Sequence, residues 1–380
     1  MRNSVLIADT VRDSKNTPSK KTIHLKTGIA WGTMCKAVDT LVDQGYLFTG
    51  KKEPTGRGRP MIPIGINADS AYFVGFDVGA SRTRTIVCDL NFKIVYSDEI
   101  KTPPYKSAEK FLDWVFGLYG AIEKNAEIPV EKIKSIGASI SGNVDSDNGV
   151  IVSGGNWGAK WGVNIPLGEQ LSKRAGVPVC VVSSPAAGVL GEYHFGKWKG
   201  YSNMVTIGLA VGVSSGIISN GHLLISHPRR PVGYIGHMLI PGNNHKCTCG
   251  FTGCLESYSG GEYLAGVARE TLPNNPELHS AAALDSAAKE GFAPAVKIMS
   301  TAASYNAVGI ASMIQLYAPD VIIFTGGQSK HDGFLYNETL KELKKILPAE
   351  RLSRFEIGLS NLGALPSVLG AARLGYERYF

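Results

Sequence analysis

The chain has 380 residues, 44% of them apolar, and a formal net charge of +7. That length holds two or three domains, and that apolar content supports large buried cores. No N-terminal apolar run resembles a signal peptide, and no stretch of about 18 apolar residues is present to span a bilayer, so a soluble cytoplasmic protein is expected.

The charge is unevenly spread. Residues 1–70 hold eleven lysines and arginines against six aspartates and glutamates, a net +5, which leaves +2 for the other 310 residues. A small basic domain on a near-neutral body points to a polyanion partner for that domain alone. Residues 4–12 read as a short helix. Ser19 is placed to cap a second helix that carries Ile23 on its inner face, and Thr27-Gly28 ends it. A third helix runs from about Trp31 to Gln44, with Met34, Val38, Leu41 and Val42 at helical spacing and Gly45 in the closing position. Two helices joined by a short glycine-containing turn form the helix-turn-helix pattern, whose second helix enters the major groove of DNA. Strand-like Tyr46–Phe48 and Met61–Ile66 flank the basic turn KKEPTGRGRP, which reads as a wing. The candidate DNA-binding residues are Trp31, Thr33, Lys36 and Ala37 on the third helix, Lys51 and Lys52 for phosphates, and Arg57 and Arg59. The last two sit in an RGRP segment that resembles an AT-hook core, suited to a narrow A·T-rich minor groove. The competing reading of each is a solvated surface side chain.

From Ala71 the pattern changes. AYFVGFDVGASRTRTIVCDL reads as strand, tight turn, strand, with Asp77, Gly79 and Ser81 in a D-x-G-x-[ST] turn where Ser81 or Thr83 is available to a phosphate. Buried-strand runs follow at 136–140, 179–182, 205–209, 216–219 and 321–325, with helical stretches at 108–124, 257–270 and 292–316. Strands alternating with helices indicate an α/β body, long enough for two lobes with a ligand cleft between them.

Four side chains within 18 residues carry a metal-ligand pattern: His237, Cys247, Cys249 and Cys254, in GHMLIPGNNHKCTCGFTGCLE. Zinc takes four nitrogen or sulfur ligands at the corners of a tetrahedron, and a structural site uses all four. Short cysteine spacings let one loop supply several corners. His245 competes for the fourth position, but it lies only two residues before Cys247 and is sterically awkward. The alternative is a loop of free or disulfide-bonded thiols, which a cytoplasmic setting disfavours. The other cysteines, Cys35, Cys88 and Cys180, are isolated.

These motifs together resemble the ROK family of repressors, open reading frames and sugar kinases. The similarity is greatest to its branch with an N-terminal winged helix, that of the glucose, N-acetylglucosamine and xylose repressors. It rests on the winged helix and GRP segment, Asp77–Ser81, the SISGNVD turn at 139–145, GGNW at 154–157, Gly236-His237, the C-x-C-G-x-x-G-C-x-E run at 247–256 and the pair Gly326-Gly327. The resemblance implies a winged helix-turn-helix over residues 1–70 and a two-lobed α/β body of actin/hexokinase (ribonuclease H-like) type. The first lobe is expected at 71–185 plus 360–380, and the second, with the zinc loop, at 186–359.

Departures from the family pattern carry as much information. Family kinases place an Asn-Asp pair after the strand matched by Val179–Val182, and the aspartate is the general base. Ser183 and Ser184 stand there instead, and a serine hydroxyl is far too weak a base near neutral pH. Ala210-Val211-Gly212 replaces the Gly-Thr-Gly phosphate loop, and Ser214 replaces a further glycine. In the sugar pocket the resemblance keeps Asn156, His237 and Glu256, while Tyr234 stands where a glutamate is usual. A zinc-bound histidine can still offer its second ring nitrogen to a ligand. The expected ligand-binding set is therefore Asn156, Ser183, Ser184, Tyr234, His237 and Glu256, in the cleft. The reading is a DNA-binding transcriptional regulator of carbohydrate metabolism, a repressor in family terms. It carries one structural zinc per chain, answers to a sugar or sugar derivative, binds duplex DNA as a homodimer or dimer of dimers, and has no enzymatic activity. The rivals are a sugar kinase with an appended DNA-binding domain and a regulator controlled by a partner protein.

Overall fold

The computed structural model describes residues 3–52, 61–105, 107–154, 163–225, 232–242 and 244–380. By contact the chain divides into two compact units, Met1–Ala138 with Pro166–Val181 and Ala371–Phe380, and Ser139–Ile165 with Val182–Gly370.

The first unit opens with three helices and a two-stranded sheet: α1 (Asn3–Arg12), α2 (Lys20–Thr27), α3 (Trp31–Asp43), β1 (Leu47–Thr49) and β2 (Ile64–Ile66). Local chemistry explains the breaks. Ser19 accepts a hydrogen bond from the Thr22 amide and starts α2, and Gly28, at φ +67°, ends it in a left-handed conformation that costs glycine little. Position 30 is alanine, so α3 begins without a side-chain cap. Val5, Ile7, Ala8 and Val11 of α1, Ile23 of α2, and Met34, Val38 and Leu41 of α3 close a small core. β1 and β2 pair antiparallel, Leu47 opposite Ile66 and Thr49 opposite Ile64.

The rest of this unit is built on a five-stranded sheet. Its strands Tyr72–Val78, Arg82–Asp89 and Ile94–Lys101 form an antiparallel meander, and Ile133–Ile140 and Val179–Ser183 extend it beyond Tyr72–Val78. The run Tyr72–Val78 is buried at every position, as a central strand covered on both faces must be. The C-terminal helix Pro366–Tyr379 packs on this sheet at very short range. A β-carbon on Gly137 would lie 1.7 Å from the Ala371 carbonyl oxygen, so only glycine fits there.

The second unit repeats the topology. Met204–Leu209, Val213–Ser219 and His222–Leu223 form the meander, and Val321–Thr325 and Glu356–Leu359 pair in parallel beyond Met204–Leu209. Its core is filled from the long helix Ala293–Tyr317 and the helix Phe334–Ile346. A three-stranded sheet, Gly142–Asp145, Val150–Gly154 and Val163–Ile165, belongs to the same unit. The helix expected over 257–270 is two helices, Glu256–Ser259 and Gly261–Thr271, because Gly260 is extended at ψ 143°. Among the described residues no helix is long and apolar enough to cross a membrane.

Candidate functional site

The exposed face of α3 is set by its turn. His24 Nδ1 lies 2.7 Å from the Ile29 carbonyl oxygen, and the His24 ring meets Trp31 edge-on with centroids 5.5 Å apart. Trp31, the first residue of α3, is therefore held in place while half exposed (50%). Thr33 and Lys36 are exposed and Ala37 is half-buried, and all three line a concavity shared with Ser4, Tyr46, Tyr379 and Phe380. Lys51 and Lys52 are exposed just beyond β1. Arg57 and Arg59 lie outside the described residues. Of the candidate α3 side chains, Trp31, Thr33 and Lys36 are thus open to solvent and Ala37 is partly covered.

In the second unit, His237, Cys247, Cys249 and Cys254 converge. Their ligand atoms all lie within 4.8 Å of one another, so the cluster can hold a metal ion. Cys249 Sγ is 3.6 Å from Cys254 Sγ, and Cys247 Sγ is 3.7 Å from His237 Nδ1. No disulfide joins them. The loop closes through isolated bridges pairing Leu239 with Cys254 and Lys246 with Thr252, and Gly250 and Gly253 take positive φ. Burial pushes the Cys254 thiol up to about 12 and raises Cys247 as well, so without a cation these two thiols stay neutral. His245, the rival ligand, is turned elsewhere. It packs edge-on against Tyr258 and Tyr263, with centroids 4.9 and 5.2 Å away.

A row of neutral polar groups begins beside this cluster. Tyr234 and His237 have ring centroids 5.6 Å apart, and the Tyr234 hydroxyl donates to Asn143 Oδ1 at 3.3 Å. Ser139 lies at the end of the strand Ile133–Ile140, Asn143 on the strand Gly142–Asp145, and Ser141 in the bend between them. At the other end of the row Ser139 Oγ donates to Ser184 Oγ at 3.0 Å, with Ser141 Oγ 3.5 Å from the same atom. Ser184 is the first residue of the helix Ser184–Phe195, and Ser183 precedes it without capping it through its side chain. Glu256 opens the helix after the last cysteine, and its Oε2 accepts the Val213 amide at 2.8 Å. The structure thus connects Ser184 with Ser139 and Ser141, and Tyr234 with Asn143 and His237. Asn156 lies outside the described residues. Ser139, Ser141 and Asn143 were visible in the sequence only as part of the SISGNVD turn; their spacing of two, across the join of the strands Ile133–Ile140 and Gly142–Asp145, was the signal that could have singled them out.

The groups of the remaining family loops are engaged within the protein. Asp77 is buried and faces the Arg84 guanidinium at 3.8 Å, and Arg84 also pairs with Glu99 at 2.7 Å. Thr83, considered above as a phosphate donor, is instead buried against Thr102 at 2.9 Å, and Thr102 donates to the Gly79 carbonyl at 2.8 Å. Where a kinase would cradle phosphate, the Ala210 and Val211 carbonyls accept the Gly261 and Glu262 amides, and the Val211 side chain is exposed at the turn.

Comparison with known proteins agrees with this architecture. The chain is 24% identical over 354 residues to the xylose repressor of Caldicellulosiruptor bescii, covering 90% of this chain and 86% of that one. It is 28% identical over 260 residues to a glucokinase of Thermotoga maritima, covering 65% of this chain and 81% of the kinase. A crystallised ROK family transcriptional regulator, a homologue of the E. coli MLC protein, shares the fold over the whole of this chain and 97% of its own, with a TM-score of 0.82 at 20% identity. The ROK family model matches residues 73–378, and the chain belongs to the ROK family.

Proposed function

We propose that the protein is a sequence-specific DNA-binding transcriptional repressor of carbohydrate metabolism, responsive to a sugar or sugar derivative and without kinase activity. The observation that carries this reading is Ser184. It stands at the head of the helix Ser184–Phe195, hydrogen-bonded to Ser139, in a body preceded by a helix-turn-helix with an exposed reading face. A hydroxyl held by another hydroxyl does not take a proton from a sugar near pH 7, and general-base catalysis is commonly worth ~10²–10⁴-fold in rate. The Arg84 guanidinium beside Asp77 and the exposed Val211 further disfavour a metal–nucleotide complex.

Functionally we divide the chain into a DNA-binding segment, 1–70, and a body whose first lobe takes in 71–185 plus 360–380 and whose second takes in 186–359. The α3 residues Trp31, Thr33, Lys36 and Ala37 read the major groove, and Lys51 and Lys52 contact phosphates. Arg57 and Arg59 are assigned to the minor groove from their sequence alone. Two copies bind a palindrome, as a homodimer or dimer of dimers. The effector binds beside Ser183, Ser184, Tyr234, His237, Glu256 and Asn156, with Ser139, Ser141 and Asn143 added to that set. It changes DNA affinity only through its differential affinity for two conformations, typically ~1–3 kcal/mol of coupling.

The metal we assign is one structural zinc per chain. A tetrahedron with Zn–S arms of ~2.3 Å sets its sulfur atoms ~3.8 Å apart, and the 3.6 Å between Cys249 and Cys254 supports that fit. Bound zinc would tie the loop to His237 through Nδ1, leaving Nε2 to a ligand. One observation favours a second reading, control by a partner protein: the Tyr234 hydroxyl is already bonded to Asn143 inside the pocket. Calorimetry with pentoses, hexoses and N-acetylhexosamines on wild type and Glu256→Ala tests the choice. Binding by wild type that Glu256→Ala weakens supports the sugar reading. Binding equal in both proteins places the pocket elsewhere, and no binding at millimolar sugar favours the partner protein.

A further inference from the structure

Arg373, on the C-terminal helix, is the largest fully buried side chain of the described residues, at 1% exposure. Its partner is 364 residues away in sequence. Nη1 and Nη2 donate to the two carboxylate oxygens of Asp9 on α1, at 2.7 and 2.5 Å. Nε donates to Glu377 at 2.8 Å, one turn along its own helix. The Tyr376 hydroxyl adds a bond to Asp9 at 3.2 Å, and Arg12 of α1 donates to Asp9 at 2.6 Å and to the Leu90 carbonyl at 3.2 Å. The Arg12 guanidinium also lies over Phe92 and Tyr376, 4.8 and 5.0 Å from their centroids. Among the described residues two acids and two arginines meet here, so the buried Arg373 charge faces opposite charge, the condition under which burying it is tolerated.

A second tie lies apart from the first. The Tyr46 hydroxyl, where the chain leaves α3 for β1, is 2.6 Å from the Tyr379 hydroxyl, and the Tyr46 ring meets Phe380 edge-on at 5.0 Å. One attachment point would leave a domain free to swivel. A planar two-pronged bond at α1 and a second bond at the end of α3 fix its direction as well.

We infer that the Asp9–Arg373 joint, with Tyr46–Tyr379, clamps the winged helix to the body and thereby sets which half-site spacing the protein accepts on DNA. Asp9, Arg373 and Tyr379 are then positioning residues for specificity, although none is required to touch a base. The inference rests on the DNA-binding reading and on two copies binding together. In a two-fold assembly the separation of the reading helices is fixed only as firmly as each is fixed to the body that pairs. A loosely tethered head accepts many spacings, because the tether merely sets an effective concentration. A clamped head accepts the spacing built into it, and half-sites lie a helical turn of ~10–10.5 base pairs, or a multiple of it, apart.

The test uses the full chain. A palindromic operator is selected from randomised duplexes by the wild type. Its half-sites are then moved apart in single base-pair steps across one helical turn, and binding is followed by fluorescence anisotropy. Wild type should lose at least ~10-fold in affinity at a half-turn insertion. Asp9→Asn, and separately Tyr379→Phe, should bind the best-spaced operator within about threefold of wild type while varying less than about threefold across the series. Identical spacing profiles for wild type and both variants, or a wild type indifferent to spacing, would overturn the inference. Amide hydrogen exchange of the free proteins gives a readout independent of DNA. Asp9→Asn should speed exchange across residues 3–49 and leave 72–89 as in wild type. No difference, or a uniform one, would also overturn it. If the wild type binds no duplex, the DNA-binding reading fails, and the exchange result alone decides whether the clamp exists. Arg373→Lys, which keeps a charge but loses the fork, replaces Asp9→Asn if that variant does not fold.

Discussion

Removing zinc should lower the melting temperature of the second unit by several degrees, and Cys249→Ser should reproduce most of the loss. The loop from Leu239 to Cys254 is anchored by Ile240 and His245 but is otherwise thinly packed. Leu239 and Phe251 are 62% and 63% exposed, and two isolated bridges are its only sheet-like pairings among the described residues. A ligand present at one hundred times its Kd stabilises the folded state by ~2.7 kcal/mol. The unit spans residues 139–165 and 182–370, and for a domain of roughly that size 1 kcal/mol moves the Tm by ~2–4 °C. The expected shift is therefore about 5–11 °C. Cys249 is the cleaner probe because it is exposed, whereas Cys254 is fully buried and its replacement would also disturb packing. Differential scanning fluorimetry should be run on protein purified without added metal, with and without chelator, on wild type, Cys249→Ser and a Cys35→Ser control. Chelator should destabilise wild type and the control alike and have little further effect on Cys249→Ser. A wild-type melt unchanged within ~1 °C by chelation, with less than ~0.1 zinc per chain by elemental analysis, would refute the assignment.

Three further outcomes are expected. A coupled ADP-release assay over hexoses and N-acetylhexosamines should give no turnover, and a rate near ~1 s⁻¹, within the usual range for enzymes, would contradict the role given to Ser184. Lys51→Ala should weaken binding to every duplex alike and lower the salt slope by about one; an effect confined to one sequence would make Lys51 a base reader instead. Glu192 is fully buried, with Oε1 bonded to Ser360 and Oε2 without a hydrogen-bond partner among the described residues. Burial pushes its carboxyl above the ordinary 4.5, opposed in part by Ser360 and Lys197. The folded state therefore keeps this proton where the unfolded chain has lost it, and stability falls as pH rises from ~4.5 through the raised value, by at most ~1.4 kcal/mol per pH unit. Glu192→Gln should flatten that fall in urea titrations at several pH values, and an unchanged slope would show that Glu192 does not cause it.

Local signals in the sequence were sufficient wherever local chemistry decides the structure. The Ser19 cap, the Gly28 stop and the Met34–Val38–Leu41 stripe marked α2 and α3 to within a residue or two. The apolar run around Phe73 and Phe76 marked a strand. The cysteine spacing predicted a cluster that does converge. What depends on distant partners was not legible. Nothing near Asp9 announces Arg373, and nothing near Thr83 shows that Thr102 will engage its hydroxyl. The three short strands between Gly142 and Ile165 have three to five residues each, too few for a period to emerge. Gly260 split an expected helix because that helix turns a corner there, and a β-carbon at Gly260 would lie 2.8 Å from the Glu256 carbonyl oxygen.

The most direct test of a regulator that reads DNA with its first 70 residues and senses a sugar with its body is one anisotropy titration of a selected operator. It compares the full chain with a chain lacking residues 1–70, each with and without the sugar that calorimetry identifies. The full chain should bind with a Kd in the nanomolar range typical of specific sites. The sugar should shift that Kd by about 5–150-fold, and the truncated chain should not bind. Operator affinity that survives the truncation, or that no binding sugar alters, would contradict it.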